Sequence, residues 1–195
     1  MKIGMYGGID NGPVHDLSID YIAIDNGLTF LNRQHISPLI AIGDFDSLED
    51  QNLLINTNII RYPSHKDETD TALAIKWAID HGYDEIDLYG VIGDRMDHYM
   101  AVLALLEKYA YMSIILYDRH NKIQVLTSGK YHLSAKEYTY FSVFAFNQSV
   151  ITLKNCEYPL TDYLLKRTDS ICVSNRCKDE LILHTSDTVL LIQAS

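Results

Sequence analysis

Cysteine is scarce. The 195 residues contain three, Cys156, Cys172 and Cys177, an odd number without paired CxxC spacing. That argues against a disulfide framework and against a zinc site, and leaves reduced, structural thiols as the expectation. No apolar run reaches the roughly 18 residues of a membrane span. The opening MKIGMYGGIDN lacks the basic and then apolar regions of a signal peptide, so the expected location is the cytoplasm. Internal repeats, low-complexity tracts and blocks of like charge are missing too. Positive charge is in short supply, with 16 basic residues against 26 acidic ones and a formal net charge of −10. Nucleic acid and anionic lipid are disfavoured as partners, because both need a concentrated basic surface. A cationic partner is easier to accommodate, whereas a polyphosphate substrate requires metal ions to bridge it to the acids.

What is present is ample apolar material: 47% of the residues are hydrophobic, enough for one large domain or two small ones. Up to about residue 110, short apolar runs alternate with helical patterns. The strand candidates are Lys2 to Tyr6, Tyr21 to Ile24, Leu39 to Ile42, Asn58 to Tyr62, Ile86 to Val91 and Ser113 to Tyr117. Several are apolar on consecutive residues, as in strands covered on both faces. A helix is expected from Thr69 to His81, with Ala72, Ile75 and Ile79 at helical spacing and Gly82 placed to end it. Another follows Met96 through MDHYMAVLALLEKY. Alternation of this kind implies a parallel sheet with right-handed crossovers. After Asn121 the pattern changes to KIQVLTSGKYHLS, YFSVFAF, SVITLKN, SICVSN, ELILHTS and TVLLIQ, read as short strands of a small antiparallel sandwich or barrel. The expected division is an α/β domain over residues 1–120 and a β domain over 121–195, with the boundary near Asp118 to Lys122.

In an open parallel sheet, ligands bind beyond the carboxyl ends of the strands. Here those ends are rich in chemistry. The first leads into GGIDNG, the second reaches Asp25, Asn26 and Gly27, and the third ends in Gly43, Asp44, Phe45, Asp46 and Ser47. The fourth leads to HKDETD and the fifth to GVIGDRMDH. Each has a plain alternative. The double glycine can be a simple turn, Asp25 a helix cap, the acids of KDETD an offset to a helix dipole, Lys66 a solvated lysine, Arg95 and Asp97 a surface ion pair, and His98 an ordinary helix residue. Capping accounts for only one carboxylate of GDFDS. Two like charges a few Å apart cost on the order of a few kcal/mol in a partly shielded site, so Asp44 and Asp46 suggest a divalent cation held between hard oxygens. Asp67 and Asp70, three apart on one helix face, could complete that site, while Lys66 and Arg95 could meet phosphate. Unrelated caps and ion pairs have no reason to gather on one rim of a sheet.

The ordered set DNG at 25–27, GDFDS at 43–47, KDETDTALA at 66–74 and GDRMDH at 93–98 resembles the thiamine pyrophosphokinase family. LKNCEYPL at 153–160 and VSN at 173–175 are similar to its carboxyl-terminal thiamine-binding region. The resemblance implies an amino-terminal Rossmann-like α/β domain, a carboxyl-terminal antiparallel β-sandwich, a homodimer with sites between subunits, and transfer of diphosphate from ATP to thiamine. It implies that Asp44, Asp46 and Asp70 ligate Mg²⁺ with Asp67 beside them. Asp25, Asn26, Gly27, Lys66, Arg95 and Asp97 would line the nucleotide and phosphate site, and Ser174 and Asn175 would face thiamine. There are departures. Two glycines commonly follow the first aspartate, where this chain has Asn26 and then Gly27. A family glycine is replaced near Asn155 and Cys156, and the single tryptophan, Trp77, lies in a helix, away from any thiamine-stacking role.

Both readings converge on phosphoryl chemistry governed by positioning and electrostatics. The thiamine hydroxyl would attack the β-phosphorus in line and AMP would leave, with Asp97 as base or orienting group unless a metal ion acidifies the hydroxyl sufficiently. Two rivals remain at this level. One is a haloacid dehalogenase-type phosphatase, whose D-x-D nucleophile normally sits on the first strand. The other is a nucleotide-sensing module without turnover.

Overall fold

The structure, a computed structural model, describes every residue except 64, 66 and 94. The chain forms two units, Met1–Leu105 with Tyr117–Arg119, and Leu106–Leu116 with His120–Ser195. It passes for good into the second unit at His120. The division is not a single cut, however, because residues 106–116 also group with the second unit.

In the first unit, β1 (Lys2–Tyr6), β2 (Tyr21–Ile24), β3 (Ile40–Gly43), β4 (Ile59–Arg61) and β5 (Glu85–Tyr89) form a parallel sheet in the order β4-β3-β2-β1-β5. The order reverses between β1 and β5, so a crevice opens beyond their carboxyl ends, where open α/β sheets bind ligands. Helices α1 (Gly27–Arg33), α2 (Asp70–Asp80) and α3 (Met96–Lys108) follow β2, β4 and β5. The start of α2 is set by Thr69, whose side chain accepts the Ala72 N–H at 3.2 Å; Ala72, Ala74, Ile75 and Ala78 are its buried residues. Asp67 therefore precedes the helix rather than sharing a helix face with Asp70. Beneath the sheet ends lies a tyrosine-rich core: Tyr6, Tyr21 and Tyr89 are almost fully buried, and Tyr89 stacks on Tyr6 at 5.9 Å and on Tyr117 at 5.3 Å between ring centroids. Asp87, buried on β5, is neutralised by Lys2 at 2.7 Å.

The second unit contains β6 (Ser113–Tyr117, whose last residue groups with the first unit), β7 (Asn121–Leu126), β8 (Gly129–Ser134), β9 (Tyr140–Ala145), β10 (Gln148–Cys156), β11 (Leu160–Lys166), β12 (Cys177–Thr185) and β13 (Val189–Ala194). Antiparallel β7-β13-β9 and β11-β10-β12-β8 contribute facing residues, such as Val143 and Leu191 from one and Leu153 and Leu183 from the other, to one core. This is the expected sandwich, with one element misread. SICVSN is not a strand. It is a turn with Ser174 at φ +56 and a single bridge from Asn175 to Phe141, while Ile171 and Val173 face outward. The strand that completes the sheet is β11, whose mixed LTDYLLK carries little alternation.

Candidate active site

The carboxyl ends of the strands surround a cavity of about 660 Å³. Its walls include Gly7 and Gly8 after β1, Asp25 after β2, Asp44 and Ser47 after β3, Asp67 to Thr71 at the start of α2, Gly90 and Val91 after β5, Arg95 just before α3 and His98 in its first turn. The expected Asp25, Asp44, Asp67, Asp70 and Arg95 are thus brought together. Asn26, Gly27, Asp46 and Asp97 do not line this cavity, and Lys66 lies outside the described residues. Glu68, Ser47 and His98 do line it without having been singled out as site residues. Glu68 and His98 stand inside KDETD and GDRMDH, which was the only signal for them.

The GDFDS loop is built around Asp25. This residue sits in the left-handed region at φ +49, and its Oδ1 accepts the amides of Asp44 at 3.1 Å and Phe45 at 3.4 Å. Gly43, at φ +154, makes room for that carboxylate, since a Cβ there would lie 1.7 Å from Asp25 Oδ1. From the other side Arg61, at the end of β4, donates to the Asp44 carbonyl at 2.7 Å and lies over the Phe45 ring at 5.1 Å. One peptide unit, the Asp44 C=O and the Phe45 N–H, is therefore held between a carboxylate and a guanidinium. This clamp holds Phe45, 1% exposed, at φ +60, a conformation that costs a bulky residue about 1–2 kcal/mol. Asp44 Oδ1 in turn accepts the Asp46 N–H at 3.1 Å, and the Asp46 side chain is exposed. The departure at Asn26 leaves the backbone undisturbed: it is the following Gly27 that no side chain can replace, because a Cβ would meet the Tyr6 carbonyl at 1.8 Å. At the second departure, Asn155 occupies φ +62, a left-handed position that asparagine tolerates in place of glycine.

Arg95 forms a two-pronged pair with Asp97, Nε to Oδ1 at 3.2 Å and Nη2 to Oδ2 at 2.6 Å, on an exposed surface. The paired hydrogen bonds raise the Arg95 pKa and hold the Asp97 carboxyl below its usual range, which makes Asp97 a weak base while the pair lasts. On the second unit, Asn175 is 3% exposed and its amide is committed to backbone: Oδ1 accepts from Tyr158 N at 3.1 Å and Arg176 N at 2.8 Å, and Nδ2 donates to Tyr158 O at 2.8 Å. Ser174 is exposed beside it, with its N–H on Ser142 Oγ at 3.1 Å.

Asp44, Asp67, Glu68 and Asp70 supply hard oxygen donors to one cavity, and Asp70 Oδ1 is withdrawn from solvent. Among the described residues, no three His, Cys, Asp or Glu side chains converge closely enough for a ready-made cage. That donor set fits Mg²⁺, which is commonly held by one or two carboxylates together with substrate phosphates.

The sequence matches the family description "Thiamin pyrophosphokinase, catalytic domain" over residues 17–117 and "Thiamin pyrophosphokinase, vitamin B1 binding domain" over residues 109–190. It is 32% identical over 177 residues to thiamine pyrophosphokinase of Bacillus subtilis, covering 86% of this chain and 80% of that protein. A crystal structure of thiamin pyrophosphokinase from Geobacillus thermodenitrificans is similar with a TM-score of 0.88 at 28% identity, over 100% of this chain and 98% of that one. One of a thiamin pyrophosphokinase family protein from Enterococcus faecalis is similar with a TM-score of 0.91 at 26% identity, over 100% and 99%.

Proposed function

The chain belongs to the thiamin pyrophosphokinase family, and from that membership we propose how its own residues carry the reaction. It is an enzyme that transfers a diphosphate group to thiamine, and ATP is the family's co-substrate. The observation that best supports the assignment of roles is the gathering of acids, Arg95 and a glycine-rich strand end from separate elements around one cavity at the sheet's switch point. In this reading the cavity takes the polyphosphate of ATP. Asp44 and Asp70, with Asp46 and Asp67 beside them, would hold Mg²⁺, whose positive charge would offset that of the phosphates. Arg95 turns from Asp97 to grip a phosphate in a two-pronged manner, and the released Asp97 orients the thiamine hydroxyl or takes its proton. Attack at the β-phosphorus then expels AMP. Nothing favours the phosphatase alternative: GDFDS follows β3, not the first strand.

The test is the nucleotide product. Incubation with ATP, Mg²⁺ and thiamine, resolved by ion exchange, is expected to show AMP rising in step with thiamine diphosphate. ADP together with thiamine monophosphate would overturn the reading of β attack while leaving the metal site standing.

Ser174 and Asn175 belong to the same proposal with different parts. Ser174, exposed, meets thiamine; Asn175 holds the turn that presents it. Ser174→Ala is expected to weaken thiamine binding in isothermal titration by roughly 5- to 10-fold, the worth of about one hydrogen bond, with ATP affinity and melting temperature unchanged. Asn175→Ala strands buried backbone groups and should lower the melting temperature as well. Equal losses for both ligands in Ser174→Ala would show that the serine is misplaced in this reading.

A homodimer is part of the proposal, supported by exposed Tyr158, Leu164, Ile171 and Val173 on the second unit. No described helix is long and apolar enough to cross a membrane.

A further inference from the structure

The three cysteines, far apart in pattern, meet in the second unit. Cys156 at the end of β10 and Cys177 at the start of β12 are direct partners across the antiparallel ladder, just past a register shift between Lys154 and Cys156. The adjacent pair carries the Glu157 N–H to Arg176 C=O bond of 2.9 Å, which makes the cysteine pair the non-hydrogen-bonded kind. Such pairs bring Cα atoms to about 4.5 Å, inside the roughly 4.4–6.8 Å window of protein disulfides. Both residues are partly exposed and line one cavity of about 570 Å³, together with Asn155, Glu157, Arg176 and Lys178. The third thiol, Cys172, is 2% exposed inside the sandwich core.

We propose that Cys156 and Cys177 are a thiol–disulfide exchange site, taking as reactant a small anionic disulfide drawn into the cavity by Arg176 and Lys178. The thiolate of one cysteine attacks a sulfur of the small disulfide, breaking its S–S bond and releasing one thiolate. The second cysteine then attacks the mixed disulfide, closing the Cys156–Cys177 bond and releasing the other. The protein loses two electrons and two thiol protons; the reactant gains both as two thiols. Cys172 is excluded by burial rather than by distance along the chain. The closed ring runs from residue 156 to 177 and contains Tyr158, Ser174 and Asn175, so oxidation staples the turn that Asn175 holds. The exchange chemistry stands whether or not that turn binds thiamine.

Burial pushes both thiols up from their ordinary range, which slows them at neutral pH, so the experiment is run mildly alkaline. The whole protein is equilibrated in oxidised and reduced glutathione at several ratios, quenched with an alkylating reagent, digested and mapped by mass spectrometry. The expected product is an intramolecular Cys156–Cys177 crosslink with Cys172 alkylated only after unfolding. The oxidised protein should melt several degrees higher, a gain reversed by dithiothreitol and absent in Cys177→Ser. In Cys172→Ala the same crosslink should form. A crosslink through Cys172, a link between two chains, or three free thiols at the most oxidising ratio would overturn the proposal. So would oxidised protein that carries the crosslink without any gain in melting temperature, as regards the stapled turn.

Discussion

Asp44→Asn is expected to lower kcat on the order of 100-fold or more while leaving the melting temperature nearly unchanged. The asparagine keeps an oxygen at Oδ1, so the Asp46 N–H, 3.1 Å away, still has its acceptor and the loop retains its shape. Only the charge is lost. In the folded enzyme that charge shares one cavity with Asp67, Glu68 and Asp70 but also with Arg95, so in metal-free buffer the repulsion relieved and the attraction lost largely offset each other. In turnover it deprives the migrating diphosphate of the cation that offsets its own charge, and a factor of 100 corresponds to about 2.7 kcal/mol of transition-state stabilisation. Asp46→Asn is the informative companion. The Asp46 side chain is exposed and outside the cavity wall, so a loss as large as that of Asp44→Asn would mean that both carboxylates turn to one cation when substrate binds. A loss of only a few fold would assign the cation to Asp44 and Asp70. Steady-state rates over a Mg²⁺ titration, with thermal melts in chelator, separate the cases. Wild-type kcat in Asp44→Asn at ordinary Mg²⁺ would remove the metal role altogether.

How much of this was legible beforehand depended on the range of the interaction. β1 and β2 keep the bounds read from their apolar runs, because a strand covered on both faces declares itself residue by residue, and β6 keeps its bounds although its burial alternates. The α2 start was legible within a residue, since the Thr69 cap is a local bond. α1 was not, as seven residues give too few turns for a period to stand out. The turn at 171–176 read as a strand because Ile171 and Val173 alternate as a strand would, although both face outward. Likewise the rim acids were found by their place after strands, yet what Asp25 does was not: its partners, the amides of Asp44 and Phe45, are some 20 residues away and carry no sequence signature. Cys156 and Cys177 were invisible as a pair for the same reason, being joined by ladder register rather than spacing.

Asp25 yields the last prediction, because ligand contact and loop clamp predict opposite outcomes for the same substitution. If its carboxylate chiefly holds the GDFDS loop, Asp25→Ala should lose about 3 kcal/mol of stability or more. Two partly buried amides are left without their acceptor at roughly 1–3 kcal/mol each, and alanine at φ +49 adds about 1 kcal/mol of backbone strain. Arg61 would then pull on the Asp44 carbonyl with nothing opposing it across the peptide, and Phe45 would lose the clamp that holds it in the left-handed region. Activity should fall chiefly through kcat, since it is Asp44 that is displaced. Asp25→Asn keeps the Oδ1 acceptor and tolerates the left-handed backbone, so it should unfold within about 1 kcal/mol of the wild type. Urea denaturation at constant m-value measures the stability, and the split of kcat from KM for ATP measures the role. An Asp25→Ala enzyme as stable as the wild type, with KM for ATP raised and kcat intact, would return Asp25 to the nucleotide site and leave the clamp without its function.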